Sequence, residues 1–225
     1  MNCSSSAAMD DAGKTGAPEY PPVSRWCTSR CKRVFDLVCA VALLLVTLPF
    51  MCLVSLAVLT SPGPLLFASD RLGQRGKCIR VLKFRTMRPH SEAGIHVTRK
   101  GDNRVTKAGL FLRKWKLDEL PQFINVLRGD MSVVGPRPDM PEFLAALDGE
   151  FRSVLCLRPG ITSAATLQFR NEEELLSSIP ENRLVAYYVD TLLPEKIRLD
   201  LEYARQATFS TDLKIVIKTA ARILA

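Results

Sequence analysis

At 225 residues, 47% of them hydrophobic, the chain is long enough for one domain with a core of its own, so a wholly disordered chain is excluded. A formal charge of +8 points to an anionic partner, while an aromatic content of 7% leaves few stacking platforms and argues against nucleic acid. The 7 cysteines are scattered, and neither His90 nor His96 stands at zinc-site spacing from Cys27 and Cys31. The thiols therefore fit a reducing compartment rather than a disulfide framework or a metal cluster.

Residues 1–22 are rich in Ser, Ala, Gly, Pro and Asp and are predicted to form a disordered leader. A basic patch follows, made of Arg25, Arg30, Lys32 and Arg33. Leu37 to Leu59 then runs without a charge, and as one straight helix it would be about 34 Å long, enough to span a bilayer. Pro49 removes a backbone hydrogen bond near its middle. Two forms fit: a kinked spanning helix, or a helix-break-helix hairpin that enters one leaflet and returns. Arg71, Arg75 and Lys77 follow the run as Arg30, Lys32 and Arg33 precede it. Basic flanks on both sides favour the re-entrant form, with both ends cytoplasmic. The expected organisation is a leader (1–22), a membrane-inserted segment (23–60) and a cytosolic domain (61–225). A cleavable signal peptide does not fit, because the apolar run starts too far from Met1.

Ser61-Pro62-Gly63-Pro64 is a turn. A strand at Leu65–Phe67 and another at Cys78–Thr86, joined through Gly73–Gly76, predict a short β-hairpin. Strand alternation puts Lys83 and Arg85 on one face. Between Arg71 and His90 there are 7 Lys or Arg and no acid, which suits either a solvated basic surface or a phosphate clamp. Residues 91–107 read as a polar loop. Leu110–Leu117 mixes large apolar and basic residues around Trp115, as an interfacial helix does, and Arg113 lies on it.

Lys116-Leu117-Asp118-Glu119-Leu120-Pro121-Gln122 is the stretch with the most chemistry. Pro121 suits the first turn of a helix whose apolar face is Leu120, Phe123, Ile124 and Leu127, and which Gly129 stops. Asp118 and Glu119 are thereby set at its N-terminus, where ionised carboxylates and phosphates are favoured. Alone, Asp118 would read as a helix N-cap. Pro136 and Pro138 stiffen the backbone around Arg137, so a phosphate bound there costs little ordering. The remainder is mostly helical. Helices are predicted at Pro141–Cys156, Glu172–Ser177, Glu181–Val189 and Pro194–Gln206, and a basic amphipathic one at Asp212–Ala225. Arg158–Thr162 is a loop. The fold class is α+β, mostly helical.

Taken in order, Lys32-Arg33-x-x-Asp36, the Pro-broken apolar run, Lys83-Phe84-Arg85-Thr86-Met87, Leu117-Asp118-Glu119-Leu120-Pro121-Gln122, Asn125-Val126-Leu127, Gly129-Asp130-Met131-Ser132, Val134-Gly135-Pro136-Arg137-Pro138 and Arg158-Pro159-Gly160-Ile161-Thr162 resemble the bacterial sugar transferase family of small monotopic phosphoglycosyl transferases. The resemblance covers about residue 30 to the end. It implies transfer of a sugar-1-phosphate from a UDP-sugar to polyprenyl phosphate, with magnesium and a covalent intermediate, at the cytoplasmic face of the bacterial inner membrane among its lipids. Carried over by motif, Asp118 is the nucleophile and Glu119 its partner. Arg137 holds the donor phosphate, Arg113 supports the dyad, and Lys83 and Arg85 add to the phosphate-binding set. Magnesium would sit on Asp118 with the substrate phosphates, with Glu119 as a second ligand candidate. A homodimer is left open. The chain departs from the family at Ser69-Asp70-Arg71 and from Ser163 to Glu172, so the identity of the sugar stays open. The competing expectation is a non-enzymatic basic membrane scaffold or regulator of envelope polysaccharide synthesis.

Overall fold

The computed structural model describes residues 22–60, 63–88, 98, 100–145 and 149–224. All but the last residue of the expected leader, and most of the 91–99 stretch of the polar loop, lie outside these.

A short helix α1 (Arg25–Thr28) leads through Ser29 into α2 (Arg30–Leu59). The Ser29 hydroxyl accepts from the Lys32 N–H at 3.0 Å and caps α2. The helix runs to Leu59 with Pro49 inside it, so the expected helix-break-helix is continuous in its secondary structure. On either side of Pro49, hydroxyls fold back on the helix: Thr47 donates to the Leu43 carbonyl and Ser55 to that of Met51, each at 2.7 Å. Among the described residues this is the one helix long and apolar enough to cross a membrane.

Both halves of α2 pack on the rest of the chain. Ala40 is fully buried in a core shared with Phe123, Val126, Met131 and Val133, while Val54 and Val58 pack with Phe84 and Leu112. Between these contacts Leu45, Val46, Leu48 and Phe50 are each more than half exposed.

The predicted hairpin is present as β1 (Leu66–Leu72) and β2 (Cys78–Phe84), antiparallel, with Leu66 opposite Phe84 and Leu72 opposite Cys78. Helix α3 (Lys107–Lys114) follows, capped by the Thr106 hydroxyl, and then a 3-10 turn at Leu117–Glu119 and α4 (Gln122–Arg128). Gly129, at φ 90°, ends α4 in the left-handed conformation that glycine adopts without strain. The buried side of α4 differs from the expected one. Gln122, Phe123, Asn125 and Val126 face inward, and Leu127 is 38% exposed. The reason is Asn125, whose carboxamide pairs with the backbone of β2. It accepts from Leu82 N–H at 3.0 Å and donates to Arg80 C=O at 2.8 Å. A buried amide satisfied on both sides turns the helix toward the hairpin.

A second, parallel pair, β3 (Ser132–Val134) and β4 (Gly160–Thr162), was not predicted. Each strand has three residues, too few for a periodic signal. Gly135 and Gly160 pass so closely that a Cβ on either would sit within 2.4 Å of the other segment's backbone, so close approach requires glycine there.

The expected helix over Pro141–Cys156 divides into α5 (Pro141–Ala145) and a 3-10 segment (Gly149–Cys156). Then come α6 (Ala164–Gln168), α7 (Glu172–Ser177), α8 (Glu181–Tyr187), a π-helical turn (Tyr188–Leu192), α9 (Leu193–Gln206) and α10 (Phe209–Leu224). The described residues are mostly helical, with two small two-stranded sheets among them.

The basic patch before α2 is largely structural. Lys32 is buried, with its ammonium 3.1 Å from Asp36 and 2.8 Å from Asp212, and donates to the Ser132 hydroxyl at 2.8 Å and Val134 C=O at 3.0 Å. Trp26 Nε1 and the Tyr203 hydroxyl also donate to Asp212. One lysine thus ties α2 to β3 and α10. Arg33 donates to the Val126 and Leu127 carbonyls and caps the end of α4. Cys27, Cys31, Cys39, Cys52 and Cys156 are free thiols, as expected, whereas Cys78 is disulfide-bonded.

Candidate active site

The 3-10 turn carrying Asp118 and Glu119 is set by Lys116, which adopts the left-handed conformation at φ 52°. For a non-glycine residue this is an uncommon conformation that its surroundings must hold. Neither carboxylate caps α4; the residue at that cap is Pro121. The dyad therefore precedes the helix instead of forming its first turn, and its charge is balanced by side chains more than by a helix end.

Glu119 is the better neutralised of the two. Arg137 Nη2 lies 2.5 Å from its Oε1 and Nη1 3.4 Å from its Oε2, a two-point contact, while Lys83 Nζ is 3.0 Å from Oε1. Burial acts to raise the Glu119 pKa, but Arg137 and Lys83 together outweigh it and hold the carboxyl well below its usual range. Glu119 in turn is the main cause of the raised pKa of Arg137. Burial lowers the pKa of Lys83, against the pull of Glu119.

Asp118 is equally buried but lacks such partners. It is 6% exposed, and its Oδ1 is buried without a hydrogen-bond partner. Burial raises its pKa, the Glu119 charge raises it further, and Lys83, Lys116 and Arg113 pull it down. Two adjacent carboxyls are thus pushed apart in acidity: one locked in ion pairs, the other raised in pKa and carrying an open oxygen. An unpaired buried carboxylate oxygen is costly to keep, and such a group is a candidate nucleophile or ligand.

Of the expected phosphate ligands, Arg137 and Lys83 are brought directly to the dyad. Arg113 is nearby but engaged elsewhere: its Nε donates to Thr86 Oγ1 at 3.1 Å and its Nη1 to Glu173 at 3.2 Å. Arg85 is not brought to the dyad. It lies just past the end of β2, and its Nε donates to the Pro64 carbonyl at 3.1 Å. The acids of α7 escaped notice in the sequence. Glu172 pairs with Lys196, Glu173 with Arg113 and Glu174 with Lys100, so three successive acids hold cations from three other segments. The run of three was the available signal, but only the fold supplies its partners.

The donor set also fits magnesium. That ion takes hard oxygen ligands and is commonly held by one or two carboxylates plus substrate phosphates. The open Asp118 Oδ1 is an oxygen of that hard type. Among the described residues no cluster of three or more acidic, His or Cys side chains forms an all-protein metal cage.

Residues 27–225 match the family described as bacterial sugar transferase. The chain belongs to that family. Among its relatives, the UDP-glucose:undecaprenyl-phosphate glucose-1-phosphate transferase of Escherichia coli K12 is 38% identical over 198 residues, covering 84% of this chain and 39% of the relative. The enzyme of the same name from Caulobacter vibrioides is 35% identical over 209 residues, covering 90% and 73%. The UDP-N-acetylgalactosamine-undecaprenyl-phosphate N-acetylgalactosaminephosphotransferase of Aeromonas hydrophila is 35% identical over 198 residues, covering 86% and 43%. The chain therefore spans about two fifths of the length of two of these family members and nearly three quarters of the third.

Proposed function

We propose that this chain transfers a sugar-1-phosphate from a UDP-sugar to a polyprenyl phosphate such as undecaprenyl phosphate, releasing UMP and initiating the assembly of an envelope polysaccharide or glycan. The observation that carries the mechanism is the open Oδ1 of Asp118 beside a Glu119 already neutralised by Arg137 and Lys83. Asp118 attacks the phosphorus next to the sugar. The bond from that phosphorus to the bridging oxygen breaks, UMP leaves, and a phosphosugar ester of Asp118 remains. The polyprenyl phosphate then attacks the same phosphorus, a polyprenyl-diphosphate sugar forms, and the carboxylate is regenerated.

Attack of one anion on another needs positive charge around it. Arg137 and Lys83 supply it, and both can turn from Glu119 toward a bound phosphate. Asp118, with Glu119 as the second candidate, would hold magnesium together with the donor phosphates. When bound, that ion offsets charge on the diphosphate and the leaving group.

A lipid acceptor requires the site to lie at a membrane. The exposed middle of α2 supports insertion there. Packing of its two halves on one body supports the re-entrant form, with the domain on the cytoplasmic face of the inner membrane. Exposed Leu110 and Phe111 on α3, and Phe209 and Ile217 on α10, suit helices at the headgroup level.

The test is UMP release by purified protein given undecaprenyl phosphate, magnesium and a panel of UDP-sugars. Without acceptor, the protein should become heavier by one phosphosugar, and adding polyprenyl phosphate should discharge it. Asp118→Asn should stay unlabelled. An adduct on Asp118→Asn, or one mapped to Glu119, would reverse the roles within the dyad. If no UDP-sugar gives UMP or an adduct, the scaffold alternative stands.

A further inference from the structure

Behind Arg137 lies a second polar cluster that the transfer mechanism does not use. Its centre is Tyr188, the first residue of the π-helical turn joining α8 to α9. The residue is 6% exposed, and its ring packs against Phe143 with centroids 5.1 Å apart. Its hydroxyl donates to Asp139 Oδ1 at 2.8 Å and accepts from Lys196 Nζ at 3.4 Å. Lys196 is in turn held by Glu172 at 3.0 Å.

The hydrogen-bond direction is fixed by chemistry. An ammonium has donors only, so Lys196 must occupy a lone pair of the hydroxyl, which leaves the phenolic proton for Asp139. Burial and the Asp139 charge keep that phenol protonated, since both raise its pKa.

Asp139 is two residues along from Arg137 and acts on its charge. It also acts on Arg71, whose pKa burial lowers and Asp139 raises. Arg137, Asp139, Lys196 and Asp200 line one cavity. Asp139 is therefore a carboxylate lining the same cavity as Arg137, and the phenol of Tyr188 occupies it.

We infer that Tyr188 is a positioning residue for the donor diphosphate: its hydroxyl holds the Asp139 carboxylate, so that the Arg137 guanidinium stays available to phosphate. Glu172 and Lys196 orient that hydroxyl. The inference deepens the proposed function and rests on its assignment of Arg137 to the donor phosphate.

The test is a two-background comparison using full-length protein and UDP with magnesium as the probe, because UDP carries the diphosphate common to all UDP-sugars. Tyr188→Phe keeps the ring and its packing and removes the hydroxyl alone. In the otherwise native protein it should weaken UDP binding by about fivefold, within the range of a contact pair that couples. In an Asp139→Asn background, where no carboxylate is left to restrain, Tyr188→Phe should leave UDP binding unchanged. A packing role for the hydroxyl would weaken binding equally in both backgrounds, and that result overturns the inference, as does native binding in Tyr188→Phe itself. If the native protein binds no UDP, the proposed function fails and this inference falls with it. Native binding with equal losses in the two backgrounds sinks the inference alone.

Discussion

The guanidinium of Arg137 contacts Glu119 at two points, 2.5 and 3.4 Å, and leaves Oδ1 of the adjacent Asp118 without a partner. Arg137 thus pairs with the carboxylate that is not the proposed nucleophile. Under the proposed mechanism, the donor phosphate would share Arg137 with Glu119 or displace it.

Removing this arginine should cost the donor its charge-assisted contact, about 1.5–3 kcal/mol. Arg137→Ala should therefore lower UMP release by at least about tenfold. Arg137→Lys keeps the charge but loses the planar two-point fork, and should fall between the two. Wild-type turnover by a folded Arg137→Ala protein would take Arg137 out of the site.

The hairpin, the helical C-terminal half and the dyad with Arg137 were legible because each rests on local signals: alternation, turn glycines, and motif order. Charge alone was a poorer guide. Lys32 and Arg33 look like membrane-flanking cations in sequence, yet Lys32 lies between Asp36 and Asp212, and Arg33 caps α4. Apart from the short-range pair Lys32–Asp36, these contacts join residues 93 or more positions apart, which no sequence window contains. The same holds for β3 and β4 and for the face of α4, which Asn125 sets by pairing with a strand more than forty residues upstream. Arg85 was grouped with Lys83 by strand alternation, but β2 ends at Phe84 and the rule ends with it.

Lys32 gives a stability test. Lys32→Met keeps the stem but strands Asp36 and Asp212, both fully buried, beside each other's network. Breaking a buried pair from one side costs about 3–5 kcal/mol, so thermal unfolding in detergent should fall by about 6 °C or more. Arg30→Met, at an exposed position of the same helix, should change stability by no more than about 0.5 kcal/mol. Equal melting temperatures for the two variants would mean that the Lys32 network does not tie α2 to the domain.

Topology offers a separate check. With Ala40 and Val54 both packed on the domain, the start and end of the apolar run are expected on the same side of the membrane. A cysteine tag at residue 2, in a background lacking the native thiols, should resist a membrane-impermeant reagent applied from the periplasmic side and react once the cells are opened. Strong labelling in intact cells would favour a spanning helix.

The dyad itself should show opposite signs in stability. The Asp118 carboxyl has a raised pKa in the folded chain, chiefly through burial and then through Glu119. Its ionisation therefore costs folding free energy once the pH exceeds the unfolded value, about 3.9. Asp118→Asn should melt higher than wild type at neutral pH while losing the covalent adduct, and the advantage should vanish near pH 3, where Asp118 is protonated in both states. The Glu119 carboxyl has a depressed pKa: burial opposes ionisation, but Arg137 and Lys83 prevail. Its contribution is present above the unfolded value, about 4.3, and is lost as pH falls through the folded one. Glu119→Gln should therefore melt lower at neutral pH, leave Arg137 and Lys83 without their anion, and lose activity severely. Melting curves of both variants from pH 3 to 8 decide the matter. If the two shift in the same direction at neutral pH, the division of the dyad into an open carboxylate and a paired one is wrong.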